Sequence, residues 1–272
     1  MFSSVLYFIL LNSRYTLIES TCNYQILSQV LNFTEDYIKN AINTVQQEKY
    51  FKPGPIDCAE ILKNGQTKSG IYRIWPANWQ VVGSFRVYCD MSTEGGGWTV
   101  IQRRGRFGNP KNYFYKTWND YKVGFGNLEK EFWLGNIRIF SISNQGNYSL
   151  RIELKDMEDD HRYAFYNNFW IENEDSLFEL HISDYNGSAG DSLSYHNEMK
   201  FSAMDNDNDF AYEDCANLRK GGWWYNSCTE SNLNGLNLFG FHTSYADGIN
   251  WYKWRGSNYS LFQVEMKIRP VV

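Results

Sequence analysis

Gly95-Gly96-Gly97-Trp98-Thr99-Val100-Ile101-Gln102-Arg103-Arg104 is the stretch on which the reading of the fold turns. Three consecutive glycines supply a turn without Cβ restraint, and Trp98-Thr99-Val100-Ile101-Gln102 leaves it as a strand. Matching strands stand on both sides. Ser84-Phe85-Arg86-Val87-Tyr88-Cys89, Tyr148-Ser149-Leu150-Arg151-Ile152-Glu153-Leu154 and Phe262-Gln263-Val264-Glu265-Met266-Lys267-Ile268 alternate with a period of two, the mark of strands with one face on a core. A helix is expected over Asn127-Leu128-Glu129-Lys130-Glu131-Phe132-Trp133-Leu134, where Asn127 can cap and the apolar residues share a face. From about Ser188 to Gly256 the chain is rich in Asn, Asp, Gly and Trp without sustained periodicity, so a loop-built lobe is expected there.

Composition points the same way. The 272 residues are 18% aromatic, with 10 Trp, 20 Tyr and 21 Gly, which suits strands, turns and aromatic surface. A net charge of −5 gives no electrostatic footprint for nucleic acid. Near the N-terminus, Val5-Leu6-Tyr7-Phe8-Ile9-Leu10-Leu11 is far shorter than the roughly 20 residues a bilayer span needs. It fits the core of a secretory signal peptide over residues 1–20, with a buried strand as the alternative. Residues 21–52 follow, with Tyr24, Leu27, Leu31, Ile38, Ala41 and Val45 at spacings of three and four and Thr34 in the polar slot. That pattern suits a short oligomerising coiled coil or a lone amphipathic helix. Pro53-Gly54-Pro55 ends it, so residues 53–56 read as a linker and 57–272 as the main domain.

Five cysteines in a secreted chain imply disulfides. Cys58, Cys89, Cys215 and Cys228 allow three connectivities, of which local pairing, Cys58–Cys89 and Cys215–Cys228, closes the compact loops. Cys22 is left for an interchain bridge. Sequons at Asn32, Asn147, Asn186 and Asn258 suit an extracellular glycoprotein.

Asp205-Asn206-Asp207-Asn208-Asp209 puts three carboxylates on alternate residues just before Cys215. Hard oxygen ligands at that reach suit a calcium ion, and Asp and Asn tolerate the tight backbone around it. The EF-hand pattern fails, since its sixth position would be Phe210 and its twelfth Ala216. Catalytic motifs are missing too: there is no Gly-x-Ser-x-Gly elbow, His-Glu-x-x-His, P-loop or Gly-x-Gly-x-x-Gly. His161, His181, His196 and His242 lie apart without ligand spacing. The acidic run Asp156-Met157-Glu158-Asp159-Asp160 reads as a solvated turn, and Trp223-Trp224 as core packing rather than a sugar-stacking platform.

Taken in order, Asp57-Cys58-Ala59-Glu60-Ile61-Leu62, Gly70-Ile71-Tyr72, Val87-Tyr88-Cys89-Asp90-Met91, the Gly95–Arg104 stretch, Phe132-Trp133-Leu134-Gly135-Asn136, the Asp205–Asp209 run, Gly222-Trp223-Trp224-Tyr225, Asp247-Gly248-Ile249-Asn250-Trp251 and Met266-Lys267-Ile268-Arg269-Pro270 resemble fibrinogen C-terminal domains. Within that family the chain is most similar to the ficolins and the arthropod tachylectin/techylectin-like lectins, with the heptad segment where those have a collagen stalk. The resemblance implies an α+β fold with a small disulfide-bonded N-terminal subdomain, a central twisted antiparallel sheet and a loop-rich calcium-binding C-terminal subdomain. It implies calcium held by the side chains of Asp207 and Asp209 and the carbonyls of Ala211 and Glu213, with Asp205 supporting from outside.

It also implies a ligand pocket beside that loop, with Ser227 and Cys228 as a polar floor shaped by an unusual peptide geometry. Tyr245 and Ala246 would form its wall. Arg219, Thr229 and Ser257 stand where the lectins commonly carry an aromatic, a His and an aromatic, so the cup is more polar and more cationic. Arg219 could meet an anionic ligand group, or pair with an acid such as Asp214. Two functions follow from the resemblance. One is a secreted, non-enzymatic lectin of innate immunity, recognising acetylated or anionic glycans on microbial surfaces through a homo-oligomer. The other is an extracellular protein-binding, matrix or venom component with a degenerate sugar pocket.

Overall fold

The computed structural model describes residues 34–36, 38–39, 54–77 and 83–271. The expected signal peptide, Cys22, the Asn32 sequon and most of the heptad positions lie outside the described residues. Of those positions, Thr34 and Ile38 are described; both are helical and exposed. Gly54–Val272 makes one compact unit distinct from Met1–Pro53.

The unit begins with helix α1 (Cys58–Lys63), whose Asp57 side chain caps it by accepting from the Glu60 N–H at 2.9 Å. Strands β1 (Gly70–Ile74), β2 (Phe85–Asp90) and β3 (Trp98–Arg104) follow. The Cys58–Cys89 disulfide, with 5.4 Å between Cα atoms, ties α1 to β2. The glycine run before β3 is needed as glycine: at Gly96, with φ of 81°, an added Cβ would lie 2.4 Å from the Met91 carbonyl oxygen.

Next come α2 (Trp118–Val123), β4 (Phe125–Gly126), β5 (Phe132–Trp133), α3 (Asn136–Ser143), β6 (Tyr148–Lys155), β7 (His161–Ile171) and β8 (Leu180–Gly187). The loop lobe holds α4 (Cys215–Arg219), β9 (Ser231–Asn232), β10 (Gly240–Phe241), β11 (Asn250–Trp251), α5 (Tyr252–Arg255) and β12 (Tyr259–Ser260). The chain then returns to the main sheet as β13 (Gln263–Pro270). The strand order is β1-β2-β3-β13-β6-β7-β8, antiparallel throughout, with β5 pairing β3 off the main path.

All four expected strands are present, three of them read from alternation and β3 from the glycine turn before it. In β6, Tyr148, Leu150, Ile152 and Leu154 are buried while Arg151, Glu153 and Lys155 are only partly so. β3 departs from alternation because it is buried along its whole length. Its polar residues therefore need fixed partners. Gln102 Nε2 donates to the Leu233 carbonyl at 2.9 Å and to Asn234 Oδ1 at 3.1 Å. Arg104 donates to the carbonyls of Leu233 and Gly235, each at 2.9 Å, and pairs with Glu131 at 3.2 Å. The strand that decides the fold also anchors the loop lobe to the sheet.

Two expectations are corrected. Residues 127–134 are the turn and second strand of a β4–β5 hairpin, not a helix: Phe125 pairs Trp133, and the Asn127 N–H donates to the Glu131 carbonyl at 2.9 Å. Gly126 has φ of 96°, and the consecutive Phe132 and Trp133 are both buried, as a short strand between two layers requires. The Asp156–Asp160 run is not simply solvated. Asp156 is fully buried, paired with Arg255 and accepting from the N–H groups of Glu158 and Asp160 at 2.9 Å each. Trp223 and Trp224 are fully buried core residues.

Candidate functional site

The acidic loop is held from three sides. Asp205 Oδ1 accepts from the backbone N–H of Trp118, the first residue of α2, at 2.6 Å. Asn208 turns towards the chain before the loop: its N–H donates to Ser202 Oγ at 2.9 Å and its amide to the Phe201 carbonyl at 2.8 Å. Asp209 accepts from the N–H groups of Ala211 at 2.9 Å and Cys215 at 3.0 Å, which folds the loop onto the start of α4. Asp214 caps α4 by accepting from the Asn217 N–H at 2.8 Å.

These bonds bring carboxylate oxygens of Asp207, Asp209 and Asp214 within 4.8 Å of one another. Burial pushes the Asp209 carboxyl up to about 6, and the adjacent Asp207 adds to the shift. Among the hydrogen bonds of the described residues, none reaches the carbonyl oxygens of Ala211 or Glu213. The donors are all oxygen, which is the set a hard divalent cation takes. Asp207, Asp209 and Asp214 can each turn one oxygen to such an ion.

The expected ligand residues fall into two groups joined through α4 and Asn232. The Cys215–Cys228 disulfide, with 5.5 Å between Cα atoms, ties α4 to the floor, where the Ser227–Cys228 peptide bond is cis. The Ser227 carbonyl accepts from Tyr195 Oη at 3.2 Å, and Thr229 Oγ1 donates to the Ser231 carbonyl. In the second group, Arg219 donates to the Tyr245 carbonyl at 2.7 Å, and its guanidinium lies 5.0 Å from the centre of the Tyr245 ring. Arg219 thus meets Tyr245 rather than Asp214. Tyr245 remains 61% exposed, Ala246 is buried, and the Ala246 N–H donates to the Ser257 carbonyl at 3.0 Å. Asn232 Nδ2 spans to the carbonyls of Arg219 at 2.7 Å and Ala246 at 3.3 Å.

His196 is the residue that sequence reasoning missed. It is fully buried, and its Nδ1 lies 2.7 Å from the Trp224 carbonyl, so Nδ1 carries the proton. Its Nε2 accepts from the N–H groups of Glu230 at 3.2 Å and Ser231 at 3.1 Å. Burial pushes its pKa down to about 4. His196 therefore fixes the chain on both sides of Cys228. Nothing in its spacing to Cys228 announces that role, because the contacts span about thirty residues and its shortest partners are backbone atoms. Neither of two grooves elsewhere on the molecule, of about 380 and 250 Å³, includes the expected ligand residues.

Comparison with known proteins agrees with this architecture. The family described as fibrinogen beta and gamma chains, C-terminal globular domain, matches residues 54–271. Techylectin-5A of Tachypleus tridentatus is 63% identical over 219 residues, covering 80% of this chain and 75% of that protein. Tenascin-R of Homo sapiens is 48% identical over 218 residues, covering 80% of this chain, which spans only 16% of tenascin-R. The fibrinogen-like globe domain of human ANGPTL2 superposes with a TM-score of 0.76 at 41% identity, covering 80% of this chain and 99% of that one. The relatives thus include a protein named as a lectin and others whose names say nothing of sugar binding. No helix among the described residues is long and apolar enough to cross a membrane. The chain belongs to the fibrinogen C-terminal globular domain family.

Proposed function

We propose that this protein is a secreted, non-enzymatic lectin in which a calcium ion orders the loop lobe beside a glycan-binding face. The observation that carries the reading is the 63% identity to Techylectin-5A across the whole folded unit. The oxygen-lined loop at Asp207 and Asp209 and the two disulfides support it. Calcium would be held by the carboxylates of Asp207 and Asp209 and the carbonyls of Ala211 and Glu213. It would supply a fixed positive charge that stiffens the loop.

Ligand would lie across Ser227, Cys228 and Thr229 on one side and Arg219, Tyr245, Ala246 and Ser257 on the other. The Arg219 guanidinium, seated on Tyr245, makes that face suited to anionic as well as acetylated sugars. Single sugar sites of this size are weak, so an oligomeric chain binding microbial glycans multivalently is the working form. The test is binding of the full-length protein to a glycan array with N-acetylglucosamine as competitor. Competed binding supports the acetyl-group reading, and binding confined to sulfated or carboxylated glycans supports the anionic one. Absence of any glycan binding refutes the lectin.

A second reading, an extracellular protein-binding module, draws on the exposed aromatics Phe210, Tyr212, Phe241 and Tyr245 around the lobe. It becomes the reading to pursue if the array is blank.

A further inference from the structure

On the far side of the sheet from β1, residues between α3 and β6 and residues of β7 enclose a groove of about 380 Å³. Its wall includes Trp170, which is 37% exposed and held upright by His181, stacked at 4.6 Å between ring centres and 12° from parallel. Gly146 also lines the groove, and a Cβ built there would meet only Tyr148, at 4.0 Å, so no side chain fills the space. Asn144 and Asn168 complete a polar lining. Asn144 Nδ2 donates to the Ile171 carbonyl at 2.8 Å, and Asn168 Nδ2 to Ser183 Oγ at 2.8 Å. Their amide oxygens are thereby held in place and accept no bond among the described residues. An aromatic face with fixed amide oxygens beside it is the chemistry that receives a pyranose ring, whose C–H face packs on the indole while its hydroxyl and acetamido N–H groups donate.

The occupant is set by the fourth feature of the lining. Asn147 is itself part of the groove wall, is exposed, and begins the sequon Asn147-Tyr148-Ser149. The geometry points to an N-linked glycan on Asn147 whose first N-acetylglucosamine lies in this groove against Trp170. The protein would then carry a covalent sugar as part of its surface packing, separate from the face proposed to bind foreign glycans.

The test uses the full chain secreted from eukaryotic cells and trimmed with an endoglycosidase to a single N-acetylglucosamine per site. Peptide mass analysis should show Asn147 occupied. Hydroxyl-radical footprinting should label Trp170 at least twofold more slowly in this protein than in Asn147→Gln. Thermal melting should fall by roughly 2–4 °C in Asn147→Gln, with that difference lost in a Trp170→Ala background and kept in Trp170→Phe. An unmodified Asn147 overturns the inference. So does an occupied Asn147 with equal Trp170 labelling in the two proteins, a readout that does not depend on the Trp170→Ala variant folding. Protection of Trp170 in Asn147→Gln by added free chitobiose, with Asn147 unmodified in the wild type, would assign the groove to a diffusible sugar instead.

Discussion

Acidification from pH 7 to pH 5 should weaken the loop lobe through one buried side chain, His196. In the folded protein its pKa is pushed down to about 4, because burial opposes charge and Nε2 is committed to accepting two N–H groups. In the unfolded chain it returns to about 6.5. The unfolded state therefore binds the extra proton first. The stabilisation is complete above about pH 6.5 and is lost as the pH falls towards 4. For a shift of this size the loss is about 2 kcal/mol between pH 7 and pH 5, and about 3 kcal/mol once the pH is below 4. Asp191 is the charged group that favours the protonated ring, but burial outweighs it.

The assay is urea unfolding of the wild type and of His196→Gln at both pH values with calcium held constant. Gln can offer an oxygen to the Glu230 and Ser231 N–H groups but cannot titrate. It should cost about 1–3 kcal/mol at pH 7 and show a decline to pH 5 that is smaller than the wild type's by about 2 kcal/mol. Parallel declines in the two proteins would refute the role given to His196.

Three further outcomes are expected. Glu131→Ala leaves Arg104 buried without its counter-charge and should destabilise by about 3–5 kcal/mol, read by the same unfolding experiment. A loss below 1 kcal/mol would show that the Leu233 and Gly235 carbonyls satisfy Arg104 alone. Arg219→Ala should change stability by less than about 1 kcal/mol, since the side chain is only half-buried and its one hydrogen bond, to the Tyr245 carbonyl, is exposed. It should weaken binding to anionic glycans at least tenfold while sparing neutral acetylated ones. Trp224→Ala removes a fully buried ring whose Nε1 donates to the Phe178 carbonyl at 2.7 Å and should cost about 3–5 kcal/mol, measured as a fall in the urea midpoint.

The parts of the fold legible in the sequence are those set by local chemistry. β6 and β13 alternate because one face meets the core, and the Gly95–Gly97 turn before β3 is readable because all three residues take positive φ, which L side chains rarely adopt. What escaped was decided by distant partners. The 127–134 segment carries apolar residues at helical spacing, but Glu131 is needed opposite Arg104 and Phe132 and Trp133 are needed between layers, so it becomes a hairpin. Asp156 looks like one acid in a charged turn until Arg255, about a hundred residues later, arrives beside it. The same holds at the candidate site. Asp207 and Asp209 stand out by their alternation, whereas Asp214 joins them only through the fold of α4, and His196 acts chiefly on backbone groups about thirty residues away.

Thermal melting of the full chain in excess calcium and in excess chelator bears most directly on the acidic loop. With calcium at a hundred times its dissociation constant, the folded state should gain about 2.7 kcal/mol. That gain should raise the melting temperature by roughly 5–10 °C. Asp207→Asn and Asp209→Asn should abolish the response. Identical melting in calcium and chelator would contradict a metal-ordered lobe.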